Sequence, residues 1–280
     1  MRIISWNVNG IRSNVFCKGS YKKNSTVEKI DKDTNLGQII HELYPDIICF
    51  QETKCDSNTY DNIKIEQYYQ YWNESKKEGA RSGSRYSGTS IWTKIKPKNV
   101  YYNIDIGDFN DDEGRIIICE YDNFLLINTY CPNAGTNFEY RVNIWDKIMY
   151  RFLDEQKKNK HIIWTGDLNV SINNNDVFFS DKKSNRYSEE KMKGDGNNTI
   201  AGFTKEEREN FKKILDNDFV DAFRHIHGMI KNCFTWWNLR IKTDRKNNLG
   251  MRLDYFVVSK EIVDKIKNCI HLTYNGLLTN

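Results

Sequence analysis

Apolar residues come along this chain in short blocks separated by polar stretches. The blocks predict strands over Arg2–Asn7, Asp46–Gln51, Gly88–Thr93, Arg115–Tyr121, Phe124–Tyr130, Ile162–Gly166 and Arg252–Val258. Several are continuous apolar runs, Ile47-Ile48-Cys49-Phe50 among them, as expected of strands covered on both faces. Asp122-Asn123 separates two of them and reads as a hairpin turn. Helical spacing predicts helices over Leu36–Leu43, Phe138–Asn159 and Lys205–Asn217. The last opens on a capping box, Thr204-x-x-Glu207, followed by apolar Phe211, Ile214 and Leu215. Hairpins mixed with helices do not alternate strictly, which argues against a doubly wound parallel sheet and for an α/β sandwich of two sheets flanked by helices. No Pro/Gly/Ser linker interrupts the chain, so residues 1–280 read as a single domain. Asn173–Thr199 and Gly19–Thr34 are polar and poor in apolar residues, and both read as long surface loops.

Composition sharpens this picture. An apolar fraction of 39% and an aromatic fraction of 13% supply a core, which excludes a disordered chain. Lys plus Arg is 42 against 38 Asp plus Glu, a mildly basic net charge of +4 whose sign alone is a weak hint of an anionic partner. Its distribution says more: basic residues gather in Lys76–Arg85, Lys182–Lys193 and Arg240–Lys246, which points to nucleic acid. The seven cysteines include no C-x-x-C pair, and Cys49, Cys119 and Cys131 sit in apolar runs. They read as buried free thiols in a reducing compartment. No basic-apolar leader and no membrane-length apolar run is present, so the expected location is intracellular, in nucleus, cytoplasm or viral factory, with no membrane partner.

Five polar motifs stand in order, most of them at the ends of predicted strands: Ser5-Trp6-Asn7-Val8-Asn9-Gly10, Gln51-Glu52-Thr53-Lys54, Asn128-Thr129-Tyr130-Cys131-Pro132-Asn133-Ala134-Gly135, Gly166-Asp167-Leu168-Asn169-Val170 and Arg252-Leu253-Asp254-Tyr255. Glu52 with Asn7 and Asn9 makes a sparse oxygen set of the kind Mg²⁺ accepts, since that ion keeps waters and uses one or two carboxylates. Asp167 and Asn169, at i and i+2, share a face of an extended segment. A carboxylate there can orient or deprotonate water, and a carboxamide can donate to a phosphate oxygen. Tyr130 and Asn133 bracket a turn, and the phenol can hydrogen-bond a phosphate or leaving oxygen. Asp254, flanked by Leu253 and Tyr255, needs a partner, and a histidine held in one tautomer would be the useful one. Each motif has a bland reading as well: a solvated strand end, an Asx turn or a core tyrosine.

Together the motifs S-W-N-V-N-G, Q-E-T-K-C, T-Y-C-P-N-A-G, G-D-L-N-V, A-G-F-T-x-x-E-R and R-L-D-Y-F closely resemble those of exonuclease III-type apurinic/apyrimidinic (AP) endonucleases, across nearly the whole chain. These belong to the endonuclease/exonuclease/phosphatase superfamily. The resemblance implies a DNase I-like, four-layered α/β sandwich with two packed mixed or antiparallel sheets. It implies Mg²⁺-dependent (or Mn²⁺-dependent) hydrolysis of double-stranded DNA 5′ to abasic sites, with 3′-exonuclease or 3′-phosphodiesterase activity, by a monomer. By the same resemblance the metal group is Asn7, Asn9, Glu52, Asp167 and Asn169. The catalytic group is Tyr130, Asn133, Asp167, Asn169 and Asp254. Lys54, Trp236, Met251 and Leu253 contact DNA.

Three departures stand out. Ile200 replaces an expected asparagine before Ala201, Met251 replaces a tryptophan of some relatives, and the family's closing G-S-D-H is absent after Leu277-Leu278-Thr279-Asn280. The resemblance therefore implies a domain lacking its final strand, and none of His41, His161, His225, His227 and His271 stands in an S-D-H context. Two other function classes compete: a DNA-binding remnant that does not cut, and a superfamily phosphodiesterase acting on a phosphoinositide, sphingomyelin or RNA. A secreted DNase I-like enzyme lacks support from any leader or disulfide pattern.

Overall fold

The computed structural model of the chain describes residues 1–15, 26–76, 86–180, 200–273 and 276–277. They fold as two compact units, Met1–Tyr130 with Trp164–Asp167 and Cys131–Ile163 with Leu168–Asn280.

In the first unit, β1 (Ile3–Asn7), β2 (Ile47–Gln51), β3 (Tyr69–Asn73) and β4 (Thr89–Thr93) form a sheet in the order β1-β2-β4-β3. β1 and β2 are parallel, from Ile3 opposite Ile47 to Asn7 opposite Gln51, whereas β4 runs antiparallel to both its neighbours. A parallel pair needs a crossover, and the helix Asn35–Leu43 lies in it. Thr34 caps that helix, its hydroxyl accepting from Gly37 N at 3.0 Å. Leu36 and Ile40 pack with Ile4, Ile48, Phe50 and Trp92 in one core cluster. All five residues of β2 are buried, as its continuous apolar run requires.

A second sheet begins in the same unit. β5 (Asn99–Tyr101), β6 (Ile116–Glu120) and β7 (Phe124–Tyr130) are neighbours, followed by the end of β8 (His161–Asp167). The expected hairpin is present, with Tyr121 N donating to Phe124 O at 2.9 Å across Asp122-Asn123. β2 and β4 pack on β7, and β3 and β4 on β6, which makes the sandwich. Its interior contains a polar tie. Gln51 Nε2 donates to Asn128 Oδ1 at 2.7 Å, and Asn128 Nδ2 donates to Phe50 O and Ser90 O at 3.0 Å each. Buried amides are costly unless paired, so this pairing pins β7 against β2 in one register.

In the second unit β9 (Phe219–Asp221), β10 (Trp236–Trp237), β11 (Gly250–Met251) and β12 (Asp254–Ser259) follow in sequence. The start of β8, β12 and β9 are neighbours in that order, and β10 with β11 makes a small antiparallel ribbon. The helix Lys205–Asp216 begins in the expected capping box: Glu207 N donates to the Thr204 hydroxyl, and Thr204 N to the Glu207 carboxylate, both at 3.2 Å. Phe211 and Ile214 turn inward.

Four expectations change. The helix over Phe138–Asn159 is three segments: Ala134–Glu139, a π turn at Tyr140–Trp145, and Asp146–Gln156. It starts early because the Asn133 side chain caps it, accepting from Gly135 N at 2.9 Å. The stretch from Asn173 is not wholly a surface loop. Val177 is buried and joins Phe178 and Phe179 on Phe203, Met251 and Leu253, while residues 181–199 lie outside the described part. Within Gly19–Thr34, Val27 pairs with Ile63 and Ile30 is buried, and residues 19–25 are not described. β12 starts at Asp254 rather than Arg252, because Arg252 N is taken by Asp176 O at 2.8 Å. Lys182–Lys193 falls outside the described residues, as does Lys76–Arg85 beyond Lys76. Cys49, Cys119 and Cys131 are buried, and burial pushes the Cys119 thiol up to about 12. Among the described residues no helix is long and apolar enough to cross a membrane.

Candidate active site

Because β1 and β2 are parallel, their C-terminal ends point the same way and bring Asn7 and Glu52 to one edge. The pairing continues past the strands, with Gly10 N donating to Glu52 O at 2.7 Å and Ile11 N to Thr53 O at 2.9 Å. The end of β8 adds Asp167. Its approach depends on Gly166, where φ is +134° and a Cβ would stand 2.0 Å from Thr129 O. Asn7 Nδ2 then donates to Glu52 Oε1 at 2.9 Å and to Asp167 Oδ2 at 2.8 Å. One carboxamide thus holds two carboxylates together.

The backbone around this group is strained. Asn9, Glu52 and Lys54 adopt φ of 45°, 51° and 47°, a region costing an L residue roughly 1–2 kcal/mol and found where surroundings over-determine it. The Lys54 ammonium lies 2.6 Å from Glu52 Oε2 and 2.5 Å from Asn9 Oδ1. Lys54, expected on DNA, is here an ion-pair partner of the expected metal ligand, and Asn9 is its second acceptor. Tyr130 ends β7 beside this cluster. Burial, and then the charges of Glu52 and Asp167, push its phenol well above the usual tyrosine range, so it stays protonated and can donate. Arg115 fixes the tyrosine: Nη1 donates to Tyr130 O at 3.0 Å, Nε to Glu113 at 2.6 Å, and the guanidinium sits 4.6 Å from the Tyr130 ring centre.

The second unit holds a carboxamide pair. Asn169 is buried at φ 50°. Its Nδ2 donates to Cys131 O at 2.8 Å, and its Oδ1 accepts from Asn133 Nδ2 at 3.3 Å. Gly202, at φ +85°, lets the A-G-F-T loop approach, since a Cβ there would meet Asn169 O at 3.3 Å. Asp254 opens β12, with its N–H on the Thr235 hydroxyl at 3.1 Å. Met251 and Leu253 are 2% and 4% exposed inside the aromatic cluster, whereas Trp236 is 39% exposed. Of these three expected DNA contacts, Trp236 presents the open ring. Near it Arg240, Lys242, Arg245 and Lys246 are exposed cations, with Arg245 over the Trp237 ring at 5.2 Å. Asp167 and Asn169, two residues apart in sequence, fall in different units. Among the histidines, His271 stacks on Phe223 at 4.0 Å and His227 packs on the same ring at 4.7 Å.

Sequence reasoning missed Arg115 and Arg141. Both are 2% exposed, and an isolated arginine in a sequence reads as a solvated charge. The only hint was their position, just before or after a motif-bearing segment.

The fold is DNase I-like, a mixed-sheet α/β sandwich flanked by helices. It is shared with a 3′-5′ exonuclease from Neisseria meningitidis (TM-score 0.71, 19% identity, 96% of this chain and 90% of that one). An AP endonuclease from Leishmania major shares it too (TM-score 0.71, 27% identity, 94% and 80%). The chain belongs to the endonuclease/exonuclease/phosphatase family, whose sequence pattern matches residues 4–265. The family consists of hydrolases that are generally divalent-metal dependent. The chain is 34% identical over 271 residues to the exodeoxyribonuclease of Bacillus subtilis (strain 168), spanning 96% of this chain and 92% of that protein. It is 36% identical over 272 residues to the DNA-(apurinic or apyrimidinic site) endonuclease of Dictyostelium discoideum, spanning 95% of this chain and 64% of that longer protein.

Proposed function

We propose that this protein is a DNA repair nuclease that hydrolyses the backbone 5′ to abasic sites and also acts at 3′ ends, using Mg²⁺ or Mn²⁺. The observation that carries the reading is the tie of Glu52 and Asp167 through Asn7. Two carboxylates on one amide repel each other, and a hard cation relieves that repulsion. Among the described residues no three carboxylate, imidazole or thiolate groups converge, so the donor set is sparse: Glu52, Asp167 and the carboxamide of Asn7. Such an all-oxygen set suits Mg²⁺, which keeps waters and shares phosphate oxygens with the substrate. When bound, the ion supplies charge stabilisation at the phosphate.

The chain's own residues would do the rest. Asp167 orients the attacking water and accepts its proton. Tyr130, kept protonated, donates to the phosphate or the leaving oxygen. Asn133 and Asn169 donate from their carboxamides to phosphate oxygens, and Asp254 orients a proton-transfer partner. An abasic sugar enters at low unstacking cost because it carries no base. Trp236 and the cations of Arg240–Lys246 hold the backbone of double-stranded DNA. The protein would act as a monomer inside the cell.

The test is cleavage of a duplex carrying one abasic-site analogue, with Mg²⁺ or with EDTA. Incision 5′ to the lesion is expected with the metal alone. It should be abolished by Asp167→Asn, and Glu52→Ala should need more Mg²⁺. Full activity of Asp167→Asn, or incision in EDTA, would refute the assignment. Binding should weaken steeply with salt. Selective binding without any incision would instead mark a recognition module.

A further inference from the structure

The helix after the Asn133 turn carries a defect with a use. Its π turn at Tyr140–Trp145 is closed by the Asp146 N–H on Arg141 O. In an α-helix, residues five apart are rotated by about 140°, at about 100° each, and their side chains diverge. A π turn bonds i to i+5 and brings the two residues over one another. The side chains of that same pair form an ion pair, Arg141 Nε to Asp146 Oδ1 at 2.8 Å.

Held this way, the buried guanidinium reaches out of the helix in two directions. Nη1 donates to Pro132 O at 2.8 Å and Nη2 to Leu168 O at 2.9 Å. Pro132 precedes Asn133 and Leu168 precedes Asn169. A hydrogen bond on a carbonyl fixes the peptide plane that follows it, and so the direction in which the next side chain leaves. Asn169 depends on this most, because its φ of 50° is unfavourable and must be over-determined. Leu168 N is held from the other side by Leu253 O at 2.8 Å. A planar guanidinium with a rigid fork of donors can serve a carboxylate and two carbonyls at once, whereas a lysine ammonium at the same place is a point charge.

We propose that Arg141 is a positioning residue for phosphodiester cleavage: it clamps the loop bearing Asn133 to the loop bearing Asn169 and sets the angle between their carboxamides. The kinetic part of this inference rests on the nuclease reading, and the structural part does not. Arg141→Lys keeps a cation beside Asp146 and should fold. Arg141→Met combined with Asp146→Leu removes both charges together and avoids a lone buried ion. On the abasic-analogue duplex with Mg²⁺, single-turnover incision by Arg141→Lys should fall at least about tenfold while duplex affinity changes less than about threefold. A merely structural role would lower both with the folded fraction. Incision by the folded variant within about twofold of the parent would overturn the proposal.

Amide hydrogen exchange reads the clamp without any activity. The amides of Cys131, Asn133, Ala134 and Gly135 and of residues 168–170 should exchange at least about tenfold faster in Arg141→Lys, with Asp146–Gln156 unchanged. Unaltered exchange in both loops would overturn the clamp whether or not the parent cuts DNA. A parent that cuts nothing, with exchange altered as expected, would sink the nuclease reading and support the clamp itself.

Discussion

Replacing Gly166 with alanine perturbs the point where β8 lies against Thr129 of β7, one residue before Asp167. The new Cβ would stand 2.0 Å from Thr129 O, where ordinary contact begins at 3.4 Å, so one strand must yield by about 1.4 Å. The backbone angle adds to this, since φ of +134° is one that L residues rarely adopt. Backbone strain costs about 1–3 kcal/mol and overpacking about as much again, giving roughly 2–6 kcal/mol in all. Gly10 separates the two contributions. Its φ is +111°, but nothing lies within 4 Å of a Cβ there, so Gly10→Ala bears the conformational cost alone, roughly 1–2 kcal/mol. Urea unfolding of the three proteins, followed by tryptophan fluorescence, measures both differences, and unchanged m-values would show that the unfolded states match. A shift of about 1.4 Å at the strand end also breaks the Asn7–Asp167 bond, now 2.8 Å, so Gly166→Ala should need more divalent metal for incision. If Gly166→Ala costs no more stability than Gly10→Ala, the close approach of β8 to β7 is not what the glycine serves.

Two further substitutions probe the second unit. Burial, with the charges of Arg252 and Arg224, holds the His271 ring down to about 3, against 6.5 for a free histidine. As pH falls through about 6.5 the unfolded chain takes up this proton first, so the folded state loses stability progressively down to about pH 3. His271→Phe keeps the stack on Phe223 and removes the loss. Between pH 7.5 and 4.5 it should lose about 2–3 kcal/mol less than the parent in urea unfolding, and parallel losses would refute the burial argument. Asp176 is fully buried and receives Arg252 Nε at 2.7 Å, Arg252 Nη2 at 3.3 Å and a further bond from Arg224. Burial alone would raise its carboxyl, but the two guanidiniums hold it below the usual carboxylate range. Asp176→Asn should cost about 3–5 kcal/mol and lower the thermal midpoint by about 6–20 °C; a change of a degree or two would show that Asp221 suffices for Arg252.

By itself the sequence determined the strands with long apolar runs, because Ile47-Ile48-Cys49-Phe50 can be satisfied only by cover on both faces. It also determined the residues at their ends, since Asn7, Glu52 and Asp167 are the polar groups that follow or close such runs. The capping box at Thr204 was legible for a similar reason: both of its hydrogen bonds are local. β3 was not legible, because Tyr69-Gln70-Tyr71-Trp72-Asn73 has no clean alternation and takes its strand form from pairing with β4. Val177-Phe178-Phe179 was too short an apolar run to stand out from its asparagine-rich flank, and it is tertiary neighbours, Phe203, Met251 and Leu253 among them, that gather around it. The tie through Asn7 spans 45 residues to Glu52 and 160 to Asp167, so no local pattern could announce it. Arg115, Arg141 and Arg252 make the same point. A guanidinium is soluble in any sequence, and whether it is buried depends on carbonyls and carboxylates that only the tertiary structure gathers around it.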